Sequence, residues 1–215
     1  MFKPFTSISL SRTCAAILLL VAASATLHAQ AKPLSIDLSG GIGIQSLGGY
    51  TGNNVQTGID DAKHIQYGAS AGVNIFKQLA VVGEFAYLPQ GSQSPAAGLT
   101  LNASYKMAGI AVRYAPYTWR RYTPYLVGGG GYVSLNATLT SGSTSTPFNQ
   151  NGDYISYGAG VSIPLYRHFG IRPEFRQDHQ SYSMAAITGG TGSARQNVNR
   201  GMVSVFYQFG GRKAK

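Results

Sequence analysis

Two groups of residues in this chain have the types and spacing for chemistry. The first is His179-Gln180-Ser181. Two residues apart on an extended strand, His179 and Ser181 project to the same face, where the imidazole could take the hydroxyl proton as a general base. An acid would then have to orient the imidazole. No Asp or Glu follows Asp178, so Asp153 would have to reach Ser181 from a neighbouring strand. The second group is ionic: Glu84, Lys106, Arg172, Glu174 and Arg176, with Arg113 as a further member. Glu84 and Glu174 each lie five residues beyond the start of an apolar-alternating segment, at Leu79 and Phe169, so they should share a depth with Arg172 and Arg176 close by. Opposite charges on one face predict a paired layer that plugs and stiffens the protein interior. A gated polar pore is the functional alternative.

The elements that must carry both groups are β-strands, because apolar and polar residues alternate strictly along the chain. Leu34, Ile36, Leu38, Ile42 and Ile44 share one face opposite Ser35, Asp37, Ser39 and Gln45. Ile65, Tyr67, Ala69, Ala71, Val73 and Ile75 repeat the pattern, as do Leu79, Val81, Phe85 and Tyr87 opposite Glu84. In the fourth segment Leu101, Ala103, Tyr105 and Met107 alternate with Asn102, Ser104 and Lys106, and the apolar parity then shifts to Ile110, Val112 and Tyr114. A bulge at Ala108-Gly109 is expected to absorb that shift. Further segments place Tyr125, Val127, Val133 and Leu135 together, then Ile155, Tyr157, Ala159, Val161 and Ile163, then Phe169, Ile171 and Phe175 opposite Arg172, Glu174, Arg176 and Asp178. The last puts Gly201, Val203, Val205, Tyr207 and Phe209 opposite Arg200, Met202, Ser204, Phe206 and Gln208. That makes eight strands.

Connection lengths give an independent check. Residues 46–64, 89–100, 136–152 and 183–196 are long and rich in Gly, Ser, Thr and Asn, whereas 77–78, 115–123 and 166–168 are shorter, and the two kinds alternate without exception. Short turns at one end and long loops at the other describe a transmembrane barrel. A soluble barrel is the structural alternative, and the faces decide between them. The polar face is dominated by Gly, Ser and Ala, which suit a narrow lumen better than a solvated exterior, so the bulky apolar face should meet lipid. Tyr105, Tyr114, Tyr117, Trp119, Tyr122 and Tyr125 gather at strand ends, as rings anchored at a membrane interface would.

The N-terminus reads as a secretory signal. Lys3 and Arg12 precede the apolar run from Cys14 to Ala25, and Ala29-Gln30-Ala31 supplies the small-residue cleavage region. Cleavage after Ala31 is expected, with Ala29 the rival site. The run is too short for a transmembrane helix, which needs about 20 apolar residues. Domain organisation is then a signal over 1–31 and one barrel domain over 32–215. Cys14 is the only cysteine and leaves with the signal, so no disulfide or cysteine metal site follows. Of the 17 basic residues 15 remain, against 7 acidic ones, a net charge of +8. Such a balance suits anionic surfaces, here lipopolysaccharide phosphates, and export argues against nucleic acid as the partner. Tyr50, Asn53, Asn54, Asp60, Asp61 and His64 in the first loop could bind a partner, but His64 with two acids is too sparse for a metal site. No cofactor is expected. Arg212, Lys213 and Lys215 read as a solvated tail.

At this point the sequence resembles the small OmpA/OmpX-type outer-membrane barrels of Gram-negative envelopes. Eight strands, alternating connections and the closing Met202-Val203-Ser204-Val205-Phe206-Tyr207-Gln208-Phe209 carry the likeness. It implies an eight-stranded antiparallel barrel integral to the outer membrane, monomeric, inserted by the barrel-assembly machinery through the terminal strand signal of Val203, Val205, Tyr207 and Phe209. Its role would be structural or exerted by surface binding through the loops, without enzymatic activity. A narrow solute channel is one alternative. The other is a hydrolase, since a His-x-Ser pair on an outward barrel face resembles the lipid A deacylases, in which the His activates the Ser. That family has Asn after its Ser, where this chain has Tyr182, and a polar rim above an apolar band accounts for the same residues.

Overall fold

The computed structural model describes residues 35–52, 55–57, 63–76, 78–96, 98–183 and 193–210. The expected signal over 1–31, with Cys14, lies outside these residues, as do Asn53, Asn54, Asp60 and Asp61 of the first loop and Arg212, Lys213 and Lys215 of the tail. Alternating sequence has become strand throughout. The elements are β1 (Ser35–Gly52), β2 (Val55–Thr57), β3 (Lys63–Phe76), β4 (Leu79–Ala96), β5 (Leu99–Tyr114), β6 (Thr123–Ser141), β7 (Thr144–Tyr166), β8 (Phe169–Ser183) and β9 (Ser193–Phe209). Each long strand pairs antiparallel with its sequence neighbours, and β9 pairs back onto β1, so eight strands close into a barrel. The short β2 folds back on the tip of β1 and stands outside the closed ring. Closure leaves the ring no unpaired edge, which a strand in lipid requires.

The stagger is legible in the register. From Ile36 the partners run through Val73, Val81, Val112, Gly128, Tyr157, Gln177 and Asn199, and return to β1 at Ser46, ten residues further along. Shear fixes tilt and diameter together, and eight strands leave an interior that side chains alone can fill.

Two kinds of turn close the hairpins. At the end that carries the termini, Arg120 (φ 55°) and Arg167 (φ 50°) hold left-handed backbone, and Trp119 and Tyr122 bridge across the second turn. At the far end the same backbone region falls on Gly98 (φ 78°) and Gly142 (φ 57°). Here two expected loops turn out to be strand. Residues 136–152 continue the β6–β7 ladder through Asn136↔Asn149 to Ser141↔Thr144, and residues 89–100 extend β4 and β5 to Ala96↔Leu99. Leu99-Thr100-Leu101 and Thr138-Leu139-Thr140 alternate in the way that favours pleated structure, and a glycine at each tip permits a tight reversal.

The outer surface carries the apolar stripe: Ile110 is 63% exposed, Phe175 58% and Val205 57%. Inside, the prediction of small, polar and ionised groups holds on β1 and β3; on β5 and β6 the expected apolar face itself turns inward, and Leu88, Tyr154, Tyr182, Val198 and Phe206 add bulk from β4, β7, β8 and β9. No bulge forms at Ala108-Gly109; β5 pairs with β6 without interruption from Leu99↔Ser141 to Tyr114↔Leu126. Parity therefore stays constant. Tyr105, Met107, Ala111 and Arg113 are all buried in the lumen, while Lys106 is exposed on the outer wall. Gly109 allows this, since a Cβ there would collide with the Tyr154 hydroxyl and the backbone of Gly130. Tyr105 and Tyr125 are thus lumenal, and the exposed interface aromatics are Tyr114, Tyr117, Trp119 and Tyr122.

Candidate functional site: the lumen

Along the barrel axis the lumen has three layers. The middle one is ionic. Arg176 on β8 reaches Glu84 on β4 and Glu174 on its own strand, both at 2.7 Å. Arg200 on β9 lies 2.9 Å from Asp178 and 3.6 Å from Glu84, so the carboxylate of Glu84 is shared between two guanidinium groups. Tyr125 donates to Glu174 Oε2 at 2.7 Å and Tyr154 to Glu84 Oε1 at 3.2 Å. Glycines make room for both rings: a Cβ at Gly160 would strike Tyr125, as one at Gly109 would strike Tyr154. The free space around this network is about 20 Å³, room for roughly one water.

Toward the termini the layer is cationic. Arg113 and Arg172 share one acid, Asp37, at 3.3 and 3.4 Å. Arg172 also donates to Ser162 and stacks over Phe206 at 4.5 Å, and Arg113 lies over Tyr125 at 5.0 Å. A cavity of about 220 Å³ opens from here to the termini-bearing end. Toward the far end the lumen is filled instead by Leu88, Tyr105, Met107, Val133, Leu135 and Val198, with Tyr182 donating to Gln180 and Gln180 to the Met107 sulfur. Gln45, Gln66, Gln150 and Gln196 are buried among them.

Of the ionic residues expected from sequence, the structure brings together Glu84, Arg172, Glu174, Arg176 and Arg113 and leaves out Lys106. That exclusion follows from the missing bulge. Asp37, Asp178 and Arg200 were absent from the expected set, although each already lay on the polar parity of its strand. His64 lies on β3, not in a loop, with its ring against Gly91.

The His179 group sits on the outer wall. Asp153 is the register partner of Ser181, as the sequence suggested, and all three residues are exposed. Both ring nitrogens of His179 are engaged elsewhere: Nδ1 with Asn197 Oδ1 at 2.7 Å and Nε2 with the Tyr157 hydroxyl at 3.1 Å, the two rings stacked at 5.4 Å. Tyr157 in turn donates to Gln177 Oε1 at 2.6 Å. The histidine is built into a polar ladder across β7, β8 and β9. On the last strand Val203, Val205 and Phe209 face outward, and Tyr207 packs edge-on to Phe169 and Phe209.

An apolar exterior around a closed, ionic interior is the inverse of a soluble barrel, and comparison with known proteins agrees. The family model described as "Outer membrane protein beta-barrel domain" matches residues 15–209. The chain belongs to this family. It is an integral outer-membrane barrel of the small OmpA/OmpX type. Among solved structures it is similar to Ail, the attachment invasion locus protein of Yersinia pestis, crystallised with the heparin analogue sucrose octasulfate (13% identity, TM-score 0.53, 83% of this chain and 100% of that one). It is also similar to Neisserial surface protein A (12%, 0.55, 83% and 98%) and to a major outer membrane protein of Thermus thermophilus (12%, 0.51, 81% and 99%). At such identities the likeness is one of fold. A search of curated proteins gave no match.

Proposed function

We propose that this outer-membrane barrel is non-enzymatic and non-conducting, and that it acts at the cell surface through the outer ends of its hairpins. The lumen carries this reading. Four arginines and four acids pair across it, with space for about one water between the deeper ones, and a packed apolar layer lies beyond. The end with the termini and short turns faces the periplasm. The β4–β5 and β6–β7 hairpins then extend on the extracellular side, as paired strands with glycine tips. Rigid hairpins lose less entropy on binding than irregular loops. Export through the signal-like N-terminus, insertion by the barrel-assembly machinery through the terminal aromatic strand, contact of the basic chain with lipopolysaccharide and a monomeric state complete the proposal. Neither the hydrolase nor the solute channel gains an observation in its favour.

Two measurements test it. In planar bilayers the refolded barrel should show no steady conductance; a large conductance insensitive to Glu84→Ala or Arg176→Ala would sink the plug. Ail was crystallised with a heparin analogue, so immobilised heparin is a rational first probe of surface binding. Cells displaying the barrel should be retained, and replacing residues 138–147 with a two-residue Asn-Gly turn should reduce retention. Equal retention with the hairpin shortened would remove it from the binding surface.

A further inference from the structure

The charges in the lumen balance overall but not layer by layer. Asp37 alone faces Arg113 and Arg172 in the periplasmic layer, at distances longer than those of the Arg176 pairs deeper in. Arg113 is 7% exposed, lines the periplasmic cavity, and its Nε has no hydrogen-bond partner among the described residues. Arg167, held at the rim by a turn with positive φ, adds a third cation to the same cavity. Glu174, the next acid inward, is already taken by Arg176 and Tyr125. The mouth therefore holds more positive charge than its own acid neutralises, in a space of about 220 Å³ that opens to solvent.

We propose that this mouth binds a small soluble oxyanion of the phosphate class. Arg113 gives Nη1 to Asp37, and Arg172 gives Nη1 to Asp37 and Nε to Ser162, so each guanidinium group keeps its Nη2 donors for such a group. Thr118 and Thr123, hydrogen-bonded to each other at 3.2 Å on the rim, leave one hydroxyl proton free to donate. The deeper layer has three acids, Glu84, Glu174 and Asp178, against Arg176 and Arg200, so an anion is held at the mouth and repelled from passing further. A solute is the occupant, not a lipid headgroup, because the site faces the lumen and the barrel wall separates it from the bilayer. This site is independent of what the outer hairpins bind.

The test is calorimetric titration of inorganic phosphate into the refolded barrel in maltoside micelles, with acetate as the second probe. Saturable one-to-one binding is expected, with acetate weaker. Arg113→Gln should weaken phosphate binding by at least ~10-fold, and Arg167→Gln, at an exposed rim position, should weaken it less. Asp37→Asn, which leaves both arginines without their acid, should tighten it. Arg120→Gln, outside the cavity, should change nothing. Heat-modifiable migration on gels checks that every variant has closed its barrel. No saturation by ~10 mM phosphate, or an affinity unmoved by both Arg113→Gln and Arg167→Gln in folded protein, overturns the site. Acetate binding as tightly as phosphate overturns the assignment of ligand class.

Discussion

The two halves of the lumen solve the same packing problem with opposite chemistry. Toward the end with the short turns and in the middle, Asp37, Glu84, Glu174 and Asp178 meet Arg113, Arg172, Arg176 and Arg200 in two ionic clusters. Toward the end with the long hairpins, Leu88, Tyr105, Met107, Val133 and Leu135 fill the section, and several glutamines are buried. An ionic layer is stable only while every member keeps its partner, since a buried charge left alone carries its full desolvation penalty. An apolar layer loses stability in proportion to the atoms removed. Failure in the first should be abrupt, and in the second graded.

Arg176→Ala is the sharpest way to break this contrast, because it strips a cation from both Glu84 and Glu174. It should cost about 3–5 kcal/mol in urea unfolding from micelles, and an effect near zero would mean that water already screens the network. Leu88→Ala in the outer layer should cost less, about 2–3 kcal/mol. A loss exceeding that of Arg176→Ala would reverse the ranking of the two layers. Pairing Glu84→Ala with Arg176→Ala should show coupling of about 1–3 kcal/mol, whereas Leu88→Ala combined with Arg176→Ala should be nearly additive. At the tip of the outer hairpin, Gly142→Ala must place a Cβ on left-handed backbone and should cost about 1 kcal/mol. Smallest of all, Ser181→Ala on the outer wall should stay within about 0.5 kcal/mol, and no lipid A acyl release should be detected by mass spectrometry from either parent or variant. Release by the parent that the variant lacks would restore the hydrolase reading.

Much of the candidate site was legible because parity is local. Glu84, Arg172, Glu174 and Arg176 stand opposite bulky apolar residues on their own strands, and nothing beyond alternation is needed to turn them inward. Arg200 carried the same signal and meets Asp178 across the β8–β9 hairpin, but Asp37 lies 76 and 135 residues from Arg113 and Arg172, and only closure of the ring and the stagger bring them to one depth. Lys106 shows where local pattern misleads. Tyr105 and Met107 look lipid-facing beside it, yet they pack inward against Val133 and Leu135 of the next strand. The outer hairpins were hidden for a related reason: Thr and Ser read as loop by composition, while their alternation already had the period of a strand.

By itself, the sequence determined a barrel with eight strands and an apolar outer wall, because a period of two and the composition of each face are properties of neighbouring residues. Tertiary structure alone decided which layer is ionic, which is packed with apolar groups, and which arginines share an acid. Those outcomes depend on the ten-residue stagger that sets one strand's depth against another's, and on contacts between residues more than a hundred positions apart, such as Asp37 and Arg172.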